Sequence, residues 1–213
     1  MGVSKEQTVL NRQAILAAAE RLFRERGVDG VGLVELMKEA GFTQGGFYNH
    51  FESKQALAAE VVNHALAAAG DKLAADLGQP LAPGQDLLRR QLDYYFSSAH
   101  RDDLASGCAI GGMAGEVARL NADAQLHFAQ GMEAAFSAFG ALLAASAATS
   151  AASSAGAPAS APNSRPGGRA RAIALYCEMV GALMLSRAVG DAVPALSEEI
   201  LRAARDSTFA ALI

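Results

Sequence analysis

The 213-residue chain carries 18 Lys+Arg against 22 Asp+Glu, a net charge of −4, with 51% hydrophobic and 19% charged residues. That balance excludes a globally disordered chain and a protein that coats nucleic acid by charge alone. Two cysteines, Cys108 and Cys177, are too few for a disulfide scaffold and fit a reducing compartment, so a cytoplasmic location is expected.

The N-terminal twenty residues include Lys5, Glu6, Arg12 and Glu20 and lack the apolar core of a secretory leader. The first predicted helix places Ile15, Ala18, Ala19, Leu22 and Phe23 on one face and ends at Gly27. A short second helix carries Leu33, Leu36, Met37 and Ala40 and closes at Gly41. A third follows in GFTQGGFYNHF, 41–51, and Lys54 opens a longer fourth helix through about Leu77. Pro80, Pro83 and Gly84 then break the chain.

Beyond the break, Leu88, Leu92, Tyr95 and Ala99 predict a helix reaching the polar turn HRDD. SGCAIGGMAGEVARL, 106–120, reads as a glycine-loosened helix, and Phe128, Met132, Phe136, Phe139 and Leu143 mark another over 123–145. The Ala/Ser/Pro/Gly-rich stretch at about 146–168 has almost no large apolar residues to bury and is expected to be a flexible loop.

Two more helices follow, at roughly 169–190 and 196–211. The first is apolar on nearly all sides, with Ile173, Leu175, Tyr176, Met179, Val180, Leu183, Met184 and Leu185. A helix greasy all round is buried all round. This predicts either a homodimer through the last two helices or the central helix of a monomer. Its core, 173–185, is shorter than the ~20 residues of a membrane span and contains Glu178, so no membrane is expected.

The expected fold is all-α. A helix-turn-helix domain occupies residues 1–53, and a larger helical domain for ligand binding and dimerisation occupies 54–213. Residues 33–51 have the apolar spacing and turn glycine of two short clamped helices, the second of which enters the DNA major groove in a helix-turn-helix. Within residues 1–55, seven Lys/Arg balance seven Asp/Glu. The DNA reading therefore stands on the motif and not on charge. His50, His64, His100 and His127 show no metal-ligand spacing, no catalytic constellation or nucleotide loop is present, and neither metal nor cofactor is expected. The expectation is a non-enzymatic protein.

RQAILAAAERLFRERG (12–27) and LVELMKEAGFTQGGFYNHFESKQAL (33–57), followed by an all-helical remainder, resemble the TetR family of bacterial transcriptional regulators. The resemblance implies a dimer that presents two recognition helices to a pseudo-palindromic double-stranded DNA operator, with release by a small-molecule effector and the fourth helix as transmission element. The resemblance assigns Tyr48 and His50 to flanking phosphates and Lys54 to a backbone contact. Gln44 projects into the groove, where its amide can pair with adenine, and Gly45, Asn49 and the cap residue Thr43 share that surface. Two departures stand out: Gly32 and Gly46 occupy positions where many relatives carry a phosphate-binding hydroxyl. Backbone N–H groups left bare by glycine can take over those contacts.

In the second domain Phe96, Met113, Phe128, Met132, Phe136, Tyr176 and Met179 are candidates to line an adaptable apolar ligand pocket, against the alternative that such a stripe is plain core. Cys108 follows Ser106-Gly107 at a predicted helix start, where helix N–H groups favour a thiolate, and some relatives with GC here sense electrophiles or oxidants. The alternatives to a ligand-released repressor are a thiol-sensing repressor through Cys108 and a helical ligand-binding protein that has lost specific DNA binding.

Overall fold

The computed structural model describes residues 4–80, 86–153 and 168–212, and every regular element among them is helical. Helix α1, Lys5–Arg26, begins at Ser4, whose side chain accepts the Gln7 N–H at 3.1 Å. It ends at Gly27, held at φ 74°. That left-handed conformation suits glycine, and its N–H closes on the Phe23 carbonyl at 2.9 Å. Helix α2, Leu33–Glu39, leads through Gly41, at φ 83°, into a 3-10 helix, Gln44–Asn49. Helix α3, Lys54–Leu77, follows, with the Ser53 hydroxyl accepting the Ala56 N–H at 3.0 Å.

Where one helix was expected up to HRDD, there are two. Helix α4, Leu87–Tyr95, starts at Asp86, which accepts the Arg89 N–H at 2.8 Å. The Ser97 side chain then accepts the His100 N–H and starts α5, Ser98–Asp102, through most of the expected polar turn. The hydroxyl of Ser97 competes for the backbone and restarts the ladder one turn later. Helix α6, Ala109–Val117, is followed by α7, Ala122–Ser153. The expected loop from about 146 is thus helical to Ser153, because an alanine-rich segment extends a helix on propensity without needing a packed face. Its continuation, 154–167, lies outside the described residues, as does the break at Pro83 and Gly84. Helices α8, Gly168–Val189, and α9, Pro194–Ala210, complete the chain.

The chain divides into two compact units, Met1–Ala69 with Leu104–Gly131, and Gly70–Asp103 with Met132–Ile213. In the first, Ile15, Leu22, Leu36, Met37, Phe47, Leu57 and Val61 are fully or almost fully buried. Gly131 of α7 lies so close to α3 that a Cβ there would stand 2.5 Å from Leu66 Cδ1.

In the second unit, Leu88, Leu92 and Phe96 pack with Phe139 and Leu142 of α7, Leu175 and Met179 of α8, and Leu201 of α9. A buried polar pair pins α8 to α9, with Ser186 and Ser197 hydroxyls 3.0 Å apart and Ser197 also donating to the Ser186 carbonyl at 2.8 Å. Arg187 donates to the carbonyls of His100, Arg101 and Asp103 and so caps the end of α5. The His100 ring contacts the Tyr95 carbonyl at 2.8 Å. Burial holds its pKa below the ordinary histidine value, against the pull of that carbonyl.

By length and composition alone, α7 over Ala122–Ala148 and α8 over Gly168–Val189 are long and apolar enough to cross a membrane. For α8 this differs from the expectation drawn from 173–185, since the helix runs to 22 residues. One stripe of it, Ala172, Leu175, Met179, Ala182 and Leu183, is buried against protein.

Candidate nucleic-acid interface

The α2–turn–3-10 segment is set by three contacts of its own chain. The Phe42 N–H bonds to the Met37 carbonyl at 2.7 Å, folding the turn back on α2. Phe47 is fully buried, and its ring lies 5.8 Å from that of Phe51. The adjacent Tyr48 is 67% exposed and meets Phe47 edge-on at 5.2 Å. One apolar anchor therefore fixes which face of the short helix points outward.

That outward face carries Gln44, Gly45, Tyr48 and Asn49, all exposed, with Thr43 at its start. Gly46 and His50 are half-buried at its edge, and Gly32 is exposed at the cap of α2. Lys54 is the first residue of α3, where the helix N-terminus adds positive potential. The structure thus brings Thr43, Gln44, Gly45, Gly46, Tyr48, Asn49 and His50 onto one short element. The element is 3-10 and not α: the Gly46 and His50 N–H groups close on Thr43 and Phe47, three residues back, at 3.0 and 2.9 Å. Thr43 makes no side-chain cap bond to it, and paired glycines lower the propensity for a longer α-helix.

The neutral charge balance has a structural explanation. Arg12 pairs with Glu60, Arg21 with Glu25 and Glu39, Arg24 with Glu20, Arg26 with Glu35, and Arg119 with Glu116. The arginines of this unit serve as internal clamps. Among the described residues, Lys5, Lys38 and Lys54 of the same unit take part in no ion pair.

A cleft of about 260 Å³ opens beside the 3-10 helix, lined by Thr8, Asn11, Met37, Phe42, Thr43, Gly46, Asn49 and His50. His50 Nδ1 is buried with no hydrogen-bond partner. Thr8 and Asn11 were not among the residues expected from the sequence. The available sign was position: the buried stripe of Leu22, Ala19 and Ile15 continues backward along α1 to them, turning polar.

Helix α6 belongs to the same unit and is gripped at both ends by the end of α1. Arg24 donates to the Gly107 carbonyl at 2.8 Å, and Glu116 accepts the Val28 N–H at 3.1 Å. Cys108 is the N-cap of α6, its Sγ accepting the Gly111 N–H at 3.3 Å. Of the residues expected to line a ligand pocket, Cys108, Met113 and Phe128 fall in this first unit. Phe96, Met132, Phe136, Tyr176 and Met179 fall in the second. There Phe96 and Met179 are core residues, and Tyr176 packs edge-on against Phe136 at 5.5 Å.

An all-helical chain whose buried phenylalanine presents the second element of a helix-turn-helix is, by fold and site, of the helix-turn-helix class. Residues 15–61 match the family model of bacterial regulatory proteins, tetR family. Over that stretch the chain is of the TetR family. It is 33% identical over 116 residues to the HTH-type transcriptional repressor NemR of Escherichia coli (strain K12), covering 53% of this chain and 56% of that protein. To the HTH-type transcriptional repressor DhaR of Mycobacterium sp. (strain GP1) it is 28% identical over 110 residues, 52% and 54% of the two chains. The match thus spans about half the length of these curated relatives. The crystal structure of the reduced form of E. coli NemR aligns over 93% of this chain and 94% of that one, with TM-score 0.66 and 25% identity.

Proposed function

We propose that the protein is a non-enzymatic, cytoplasmic transcriptional repressor, a homodimer that binds a pseudo-palindromic operator and is released by a small molecule. The observation that carries this reading is the outward face of the 3-10 helix, Gln44, Gly45, Tyr48 and Asn49, anchored by a fully buried Phe47. The matched relatives NemR and DhaR are repressors by name, which supports the direction of regulation. Residues 1–53 act as the DNA-binding domain and the remainder as the effector and dimerisation domain. Gln44 and Asn49 read bases, whereas Tyr48, His50 and Lys54 contact the backbone.

A gel shift on the DNA upstream of the protein's own gene tests this. Gln44→Ala should relax preference at one or two base pairs, about 1–3 kcal/mol each. Lys54→Ala should weaken every sequence alike and lower the salt slope by about 0.9. Salt-independent or absent binding by the wild type would favour a ligand-binding protein without DNA specificity.

Dimerisation through the last two helices is supported by what α8 leaves uncovered in the single chain. Ala174, Cys177, Leu185 and Ala188 form one exposed stripe, with Leu185 62% exposed. A stripe of small and apolar residues suits close packing against a second helix pair. Leu185→Arg should turn the dimer into a monomer in sedimentation and abolish binding to the full operator. An unchanged mass would place the interface elsewhere.

The second reading, a thiol sensor, is favoured by one contact: Cys108 Sγ accepts an N–H as the cap of α6. Modification of that sulfur would withdraw the cap next to the carbonyl that Arg24 holds. N-ethylmaleimide release of DNA that persists in Cys108→Ser would remove this reading.

A further inference from the structure

We propose that the cleft between the start of α1 and the 3-10 helix seats one backbone phosphate of bound DNA, making Asn11 of α1 part of the interface. The proposal rests on the DNA-binding reading above and extends the contact surface to an element outside the helix-turn-helix.

The cleft has an apolar floor, Met37 and Phe42, and a polar rim, Thr8, Asn11, Thr43, Asn49 and His50. No carboxylate lines it. The rim offers donors, apart from Thr8, whose hydroxyl already donates to the Ser4 carbonyl at 3.1 Å. Asn11 Oδ1 already accepts from Gln7 Nε2 at 2.8 Å, which leaves the Asn11 amide N–H groups for the cleft. The Thr43 hydroxyl is not spent on capping its own helix. His50 Nδ1 is enclosed and unpartnered within the chain. Buried polar atoms without partners are rare, and this one belongs to a residue that lines the cleft. A small group with several acceptor oxygens satisfies amide, hydroxyl and imidazole donors together, and a phosphodiester is such a group. Gly46 keeps the space clear: a Cβ there would touch only Met37 Cε, at 3.8 Å, and would project into the cleft's lining. The Asn11 amide then supplies a donor where glycine at position 46 offers no side chain.

The seat has a distinctive signature because Asn11 and Thr43 carry no charge. Neutral donors add affinity without releasing extra counterions, unlike a lysine. Asn11→Leu should therefore weaken binding about 3–10-fold for specific and non-specific DNA alike. Its salt slope should equal that of the wild type, in contrast to Lys54→Ala.

The test is anisotropy titration of the full chain on DNA from upstream of its gene, over a potassium chloride series. It is repeated on duplexes carrying single methylphosphonates scanned along each half-site. One methylphosphonate position should weaken the wild type and leave Asn11→Leu unaffected, while Gln13→Leu, exposed on α1 outside the cleft, behaves as wild type. Asn11→Ala, read in the same way, replaces Asn11→Leu if thermal melting shows the latter to be misfolded.

Equal binding by Asn11→Leu and Gln13→Leu overturns the seat while the DNA reading stands. Loss of the methylphosphonate effect together with stabilisation of the wild type by inorganic phosphate alone would assign the cleft to a free anion and overturn it too. A wild type that binds no DNA defeats the DNA reading itself, and the seat with it.

Discussion

Arg24→Met should destabilise the first unit by about 2–3 kcal/mol, read as a shift in the denaturant midpoint with the slope unchanged. The side chain of Arg24 is only 3% exposed, and it sits between Glu20, at 3.5 Å, and the Gly107 carbonyl, at 2.8 Å. Methionine fills the volume but donates nothing. It leaves the carbonyl unpaired and a mostly buried carboxylate with one partner fewer. The cost stays below that of a fully isolated buried charge because Glu20 keeps His64, at 2.7 Å. It is reduced further because Arg24 Nε is itself unpaired in the native state, so its removal recovers some energy.

The loss should be local. Amides of α6 should lose exchange protection before those of α1, since Arg24 holds the carbonyl immediately before the Cys108 cap. A neutral midpoint with unchanged α6 protection would mean that the grip on Gly107 contributes nothing to the fold.

Gly45→Ala should move stability and DNA affinity in opposite directions. A Cβ at Gly45 would meet nothing within 4 Å, and the residue does not have positive φ. Alanine is therefore free to add helix propensity, up to about 1 kcal/mol, and to raise the melting temperature slightly. In the proposed DNA complex the same methyl group would stand on the outward face, toward the groove floor. Affinity for the operator should fall about tenfold or more, the scale of one disturbed base contact. Unchanged affinity in Gly45→Ala would show that the bare turn is not needed for DNA approach.

Much of the fold follows from local pattern. The apolar spacing of α1, the glycines at 27 and 41 and the start of α3 at Lys54 are dictated by neighbours within one or two turns, which a sequence displays directly. The restart at Ser97 was also local, yet it was hidden. Leu88, Leu92, Tyr95 and Ala99 keep helical spacing across the break, and one hydroxyl competing for the backbone decides it. The extent of α7 was misjudged for the opposite reason: lack of large apolar residues argues against packing, but alanine needs no packing to stay helical.

The site divides the same way. By itself the sequence indicated that Phe47 and Phe51 share an inward face and that Gly45 and Asn49 lie opposite, because residues four apart on a helix stack on one side. It also carried the resemblance to the TetR family, through a motif concentrated in one contiguous stretch that the family model matches over residues 15–61. Only the tertiary structure decided that the unit's arginines are internal clamps and its lysines unpaired, since Glu60 and Glu116 reach Arg12 and Val28 from far along the chain. It alone placed Asn11 and Thr8 beside the 3-10 helix and put α6 against the end of α1. Those are contacts between residues about thirty to ninety positions apart, and such pairings depend on how helices pack, which no local periodicity encodes.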